Sequence, residues 1–281
     1  MHTRTFQRFR HRLPYSLQFV LAIAALFVLV DAVISVTIWL RHRGEQRAVQ
    51  NIFGSGGKVR TEPGGPDWLR RQVGDERMEV FDRVTEVQLT GPAIANTDAV
   101  SLSELTDLSE LNLSLTQVSD DGLARLRRLS NLTKLYLRQT PIGDAGLAHL
   151  SGLTNLEELD LTRTRIADAG LPHLRGLKNL KLLSLSGTQV TSAGLAHLGE
   201  LKNLERLDLD ETSVDDGGLV HLTGLINFAV LKLDGTRVTD AGVAHLVQMK
   251  SLKWLSLHNT QVTDAGVVRL AEEFPKLYIY R

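Results

Sequence analysis

The chain has 281 residues, 43% of them hydrophobic and 23% charged, which fits one large folded domain or two small ones and excludes a disordered or fibrous protein. Lysine plus arginine number 32, as do aspartate plus glutamate, so no general charge draws the chain to nucleic acid. There is no cysteine, which excludes disulfide frameworks, thiolate metal sites and cysteine nucleophiles.

Residues 1–16 form a basic leader. Residues 17–40 then read LQFVLAIAALFVLVDAVISVTIWL, with only Gln18, Asp31, Ser35 and Thr37 clearly polar. As a helix this stretch spans roughly 36 Å, more than the ~30 Å hydrocarbon core of a bilayer. Tyr15 and Trp39 sit near its ends, where aromatic rings favour the membrane interface. No small-residue cleavage site comes after it, so the sequence predicts an uncleaved single-pass transmembrane helix. Arg4, Arg8, Arg10 and Arg12 precede it, and Arg41, Arg43 and Arg47 come after it. That bias predicts a cytoplasmic N-terminus and an extracytoplasmic C-terminal domain in the cell membrane. Asp31, near the middle of the span, costs roughly 3 kcal/mol on insertion scales. It reads either as a contact with another membrane helix or as a charge that a strongly apolar segment tolerates.

Residues 41–56 form a juxtamembrane segment. Within it, Ala48, Val49, Ile52 and Phe53 fall on one side of a short helix that Gly54 would stop. This helix would lie on the membrane surface or pack on the next domain. Residues 54–67, rich in Gly and Pro, read as loop. Residues 57–83 read as an N-terminal cover for the domain that begins at residue 84, and they carry Trp68, Leu69, Val80 and Phe81.

From residue 84 to 281 a 24-residue period accounts for almost every apolar position. Threonine recurs at Thr116, Thr140, Thr164, Thr188, Thr212, Thr236 and Thr260. Glycine recurs at Gly122, Gly146, Gly170, Gly194, Gly218, Gly242 and Gly266. Leucine recurs from Leu89 to Leu257 in the same register, giving about eight repeats, the first with Pro92 in the threonine position. Each unit opens with LxLxx, whose period of two is a strand with one buried face. It closes with GLxxLxxL, a short helix with one buried stripe. One unit cannot bury its own leucines, but a stack of them forms a continuous core. Phrases such as TDAGVAHL, at 239–246, are the strand-to-helix corner: Thr or Asp caps the helix, and the glycine permits close approach between neighbouring units. In the last unit, FPKLYIYR, the residues Phe274, Leu277, Ile279 and Tyr280 fall one place out of register, as a terminal cover would.

The pattern LxxLxLxxTxVxDxGLxxLxxL resembles a leucine-rich repeat. The resemblance implies an α/β solenoid curved as a horseshoe, with a parallel sheet on the concave face and helices on the convex face, and it implies binding of other molecules. Where the common motif has Asn or Cys this chain has Thr, which predicts a ladder of hydroxyls. The order of basic leader, single span, GGKV segment and repeats resembles bacterial membrane-anchored leucine-rich repeat proteins.

His149, His173, His197, His221 and His245 also keep the period. Shared zinc would need nitrogens about 2.0–2.1 Å from the metal, whereas packed helices lie about 8–10 Å apart, so a polar helix edge is the better reading. No metal and no cofactor is expected. GxSxG, HExxH and a phosphate loop are all missing, so no enzyme and no small-molecule substrate is expected. Variation between repeats concentrates on the outward strand positions. Candidate partner-binding residues there are Tyr136, Arg138, Asp160, Asp208, Asp210, Lys232, Asp234, Trp254 and His258. Tyr136 and Arg138 are of hot-spot type. Asp208, Asp210 and Asp234, with Glu211, read as an acidic patch that steers a partner. Trp254 reads either as an anchor or as a side chain packed on the terminal cover. The expected function is a membrane-anchored scaffold presenting its concave face to a protein or cell-envelope partner. The alternative is a structural protein whose repeats self-associate.

Overall fold

The computed structural model describes residues 15–281, except for the side chains of residues 15–23, 27, 31, 34, 35, 38 and 77. The leader arginines and the Asp31 side chain therefore lie outside the described residues. The chain divides into two units, Met1–Gln46 with Gly64–Phe81, and Arg47–Pro63 with Asp82–Arg281.

Helix α1 runs without interruption from Tyr15 to Gly54. The apolar stretch and the juxtamembrane stretch thus form one helix, where the sequence suggested a separate short one. Gly54 is its last residue, as expected, and Gly56 comes next but one at φ 79, in the left-handed region. Among the described residues no helix is long and apolar enough to cross a membrane. In the first unit, helices Asp67–Val73 and Asp75–Met78 are held by the Arg70 guanidinium, which bonds the Gly64 carbonyl at 2.9 Å and Asp75 at 3.2 Å. Met78 is buried, and its Cε occupies the space a side chain at Gly65 would need. Trp68 is 62% exposed, so this segment does not bury the aromatic expected of a cover.

The second unit contains a ten-stranded sheet in simple sequential order. Its strands are β1 Lys58–Glu62, β2 Arg83–Gln88, β3 Glu110–Asn112, β4 Lys134–Tyr136, β5 Glu158–Asp160, β6 Leu182–Ser184, β7 Arg206–Asp208, β8 Val230–Lys232, β9 Trp254–Ser256 and β10 Tyr278–Tyr280. From β2 onward every pair is parallel and offset by 24 residues. The β1 strand corrects the loop reading of residues 54–67: it pairs antiparallel with β2, with a register shift at Arg60/Thr61. The cover of the first repeat comes from here. Ala48 and Ile52, at the end of α1, are buried in the repeat core with Val84 and Leu89, and Val59 packs beside them. Phe53, expected on the same side, is exposed.

One continuous hydrophobic cluster runs from Ala48 to Phe274, and nearly every repeat leucine in it is fully buried. The turns opposite the strands are shorter than expected. Four of them are single α-turns, such as Asp144–Leu147, and Asp168–Leu174 is entirely 3-10 with Pro172 inside. The spacing explains this: Leu147, Leu150 and Leu153 recur every three residues, and only a helix with three residues per turn aligns all of them on one face.

Three side-chain rows organise the repeats. Each recurring threonine hydroxyl donates to the leucine carbonyl three residues earlier, from Thr116 with Leu113 to Thr260 with Leu257, at 2.6–2.7 Å. The expected ladder is therefore a set of bonds within each repeat. Asn131, Asn155, Asn179, Asn203 and Asn227 donate back to a carbonyl of the preceding repeat. Asp120, Asp144, Asp168, Asp216 and Asp240 reach forward and accept the backbone N–H of Gly143, Ala167, Thr191, Thr239 and Thr263. The periodic glycine makes room for that carboxylate: a Cβ at Gly170 would lie 2.5 Å from Asp144 Oδ1. Close approach is thus the reason for the glycine, and the approaching group is the aspartate of the preceding repeat, with Asn96 in its place at Gly122 and Ser192 at Gly218. True side-chain caps form at Thr191, Asp215, Thr239 and Thr263.

The residue before each periodic threonine has positive φ: Leu115, Gln139, Arg163, Gly187, Glu211, Gly235 and Asn259. Only two of these are glycine. In the last unit β10 keeps the 24-residue register, with Ile279 opposite Leu255. The preceding helix, Asp264–Glu273, is ten residues long, and that displaces Phe274 and Leu277 rather than the strand.

Candidate functional site

The outward positions of β4 to β8 enclose an open cavity of about 450 Å³. Tyr136, Arg138, Asp160, Asp208, Asp210 and Lys232 all line it. Its floor is low because β6 presents Ser184 and Ser186 where neighbouring strands carry longer side chains. The Thr162 and Ser184 hydroxyl oxygens are 2.8 Å apart across that floor.

At one end the Tyr136 hydroxyl donates to Glu158 at 2.8 Å. Burial, then that bond to Glu158, pushes the Tyr136 hydroxyl well above the usual phenol range, so it stays a donor at neutral pH. Lys134 lies between Glu110 and Glu158, at 3.5 and 3.7 Å. Arg138 is exposed beside them and forms no ion pair among the described residues.

At the other end two of the four acids of the patch, Asp208 and Glu211, are paired with cations. Arg206 grips Asp208 with two bonds of 2.9 and 2.8 Å, and Lys232 reaches the same carboxylate at 3.5 Å. Asp208 is only 7% exposed, so it is covered rather than displayed. Glu211 is paired with Arg163 at 3.1 Å, two repeats away, and the Arg163 side chain crosses the space above Gly187. Asp210 accepts the Asp234 N–H at 2.9 Å. Burial first, with Asp234 and Asp208 nearby, raises its carboxyl from its ordinary value.

Asp234, Trp254 and His258 fall outside the cavity. Asp234 accepts from the Ser256 hydroxyl and from the His258 N–H, the latter at 2.7 Å. Trp254 stacks on Tyr278 of β10 with centroids 4.4 Å apart, and His258 tilts against Tyr280. Of the two readings of Trp254, the packed one describes its geometry. Two of the five histidines of the row also have partners: Arg127 bonds His149 Nδ1, and Arg175 bonds His197 Nδ1 at 2.6 Å. Those imidazoles act as acceptors toward guanidinium groups.

Sequence reasoning missed Arg163, Ser184, Ser186 and Arg206. The serines carried a usable signal, being the smallest outward pair of any repeat. Arg163 carried none, because its reach depends on the left-handed turn and on Gly187.

The descriptions of known families agree with this geometry. Residues 130–175 match a model of leucine-rich repeats in two copies, and residues 104–126 match a second leucine-rich repeat model. The crystal structure of an internalin C2 from Listeria monocytogenes superposes with a TM-score of 0.58 at 25% identity, covering 70% of this chain and 80% of that one. An internalin (inlF) from the same organism gives a TM-score of 0.47 at 22% identity, covering 76% and 73%. No curated protein matches the chain. The repeating strand-and-turn unit, its buried leucine lattice and the matched motif define one class, and the chain is a leucine-rich repeat protein. Domains of this class generally serve as extended surfaces for contact with other proteins.

Proposed function

We propose that the chain is a membrane-anchored binding protein whose strand face receives a protein or cell-envelope partner. The observation that carries this reading is the cavity of about 450 Å³ between Tyr136 and Lys232. It lies on the face whose residues vary while the buried lattice repeats. Tyr136 and Arg138 are held at its rim, one fixed by a hydrogen bond and the other extended into solvent, a pairing typical of interface hot spots. The recognition chemistry is that of a scaffold, with no enzymatic step assigned to it.

The anchor in this reading is the apolar run 17–40 within α1. Leu26, Val28, Leu29, Val33, Val36 and Leu40 are all exposed, and a bilayer would cover them. The arginine bias before and after the run supports a cytoplasmic N-terminus and an extracytoplasmic repeat domain. Asp31 is then the candidate contact with a second membrane helix. The absence of cysteine makes the topology testable: Ser114→Cys should react with a membrane-impermeant maleimide in intact cells. Labelling only after permeabilisation would reverse the orientation. A photo-crosslinking side chain at the exposed position Gln139, next to Arg138, should then capture a partner, and Arg138→Glu should abolish that capture. Unchanged capture by the variant would remove the strand face from the interface.

One observation favours the structural alternative. The edge strand β10 exposes Tyr278 and Tyr280 and has only β9 as a neighbour. Concentration-dependent oligomers lost on Tyr280→Lys would identify self-association as its role.

A further inference from the structure

We infer that the cavity on β4–β8 is a pocket for a basic side chain of the partner, with its cation over Ser184 and Ser186 between Asp160 and Asp210. This rests on the binding reading above and specifies its chemistry.

The floor sets the size of the pocket. Adjacent parallel strands are about 4.8 Å apart, so the outward residues of β5 and β7 stand about 10 Å from one another. Between them β6 and the residues just after it offer Leu182 and two hydroxyl side chains, Ser184 and Ser186. That gap is wide enough for a guanidinium or an ammonium, and its floor supplies hydroxyl oxygens as acceptors.

The walls decide the sign of the ligand. Five carboxylates line the cavity, Glu158, Asp160, Asp208, Asp210 and Glu211, against four cations, Arg138, Arg163, Arg206 and Lys232. Three of the carboxylates already have cations, since Lys134 pairs with Glu158, Arg206 and Lys232 hold Asp208, and Arg163 holds Glu211. Asp160 accepts only from Thr162, through its N–H and its hydroxyl, and both bonds fall on Oδ1. Asp210 accepts the Asp234 N–H on Oδ1. Each therefore keeps Oδ2 without a hydrogen bond or ion pair among the described residues. A half-buried carboxylate without a counter-ion is costly, and an incoming cation offsets that cost on binding. Burial raises the Asp210 carboxyl, as expected of a charge waiting for a partner. The Arg163–Glu211 pair spans the gap from above and is half-exposed, so it can part without unfolding anything. Over the serines the carboxylates without an ion pair among the described residues, Asp160 and Asp210, outnumber the one such lining cation, Arg138, which favours a cation there over an anion.

The test is isothermal titration of the purified full chain with the peptides acetyl-Gly-Arg-Gly-amide and acetyl-Gly-Glu-Gly-amide. The arginine peptide should bind and the glutamate peptide should not. Asp210→Asn should weaken the arginine peptide at least tenfold, and Ser186→Leu, which fills the floor, should do the same. Glu272→Gln, on the exposed face of the last helix, should leave binding unchanged. Unfolding of each variant by urea reports that the fold is intact. Equal binding of both peptides, or arginine binding indifferent to Asp210→Asn and Ser186→Leu, overturns the assignment. If the arginine peptide does not bind but Arg138→Glu still abolishes partner crosslinking, the cation pocket falls and the binding face stands. If crosslinking is indifferent as well, both fall.

Discussion

Replacing Gly194 by alanine tests how the repeats are joined. An added Cβ would overlap Asp168 Oδ1 and approach Leu171 Cδ1 to 2.8 Å. Asp168 cannot move freely, because its two oxygens accept the Thr191 N–H at 2.8 Å and the Thr191 hydroxyl at 2.6 Å. Displacing it forfeits a hydrogen bond to a charged group, about 1.5–3 kcal/mol, and adds overpacking of about 1–3 kcal/mol. Alanine regains about 1 kcal/mol over glycine in a helical turn. The net expectation is a loss of about 1.5–5 kcal/mol. Asp168→Ala alone should cost about 2 kcal/mol through the same bonds. In the double variant the overlapping oxygen is gone, so adding Gly194→Ala to Asp168→Ala should cost under about 1 kcal/mol. The coupling between the two sites is then about 2 kcal/mol, large for a pair of substitutions. Urea midpoints monitored by circular dichroism measure all four corners of the cycle. Additive losses, with Gly194→Ala equally damaging in both backgrounds, would refute the interlock and reduce the glycine to a local helix effect.

Three further outcomes are expected. Thr212→Val removes a buried hydroxyl from the Leu209 carbonyl at 2.6 Å and should lower stability by about 1–2 kcal/mol, read from the urea midpoint. Gln139→Gly relieves a left-handed backbone at φ 53 in an exposed side chain and should raise stability by up to ~1 kcal/mol; a loss would show that the turn is not strained. The Ala95 N–H, then the Ser55 hydroxyl, hold the Asp98 carboxyl below its ordinary value of 3.8 in the folded state. A depressed folded value means stability that is present above 3.8 and lost as pH falls through the folded value. Asp98→Asn should therefore lower the melting temperature at neutral pH, and the gap to the unsubstituted chain should close under strongly acidic conditions.

The lattice was legible in the order of residues alone. Leucines at fixed places in a 24-residue period leave one way to bury all of them, a stack of strand-and-turn units, and β2 to β10 keep that register without a slip. Periodicity reports burial because every repeat meets the same neighbours. Features with no such repetition were set by contacts distant in sequence. The β1 strand and the end of α1 cover the open end of the core, although residues 54–67 read as loop, because an unpaired β2 edge gains hydrogen bonds that local glycines do not foreshadow. Asp208 read as an exposed acid and is in fact buried under Arg206 and Lys232, a neutralisation that depends on side chains from two strands. Trp254 read as a possible anchor and stacks on Tyr278. The cavity itself arises from two small serines between longer neighbours, a difference in side-chain length that becomes a site only when 24-residue offsets place those strands side by side.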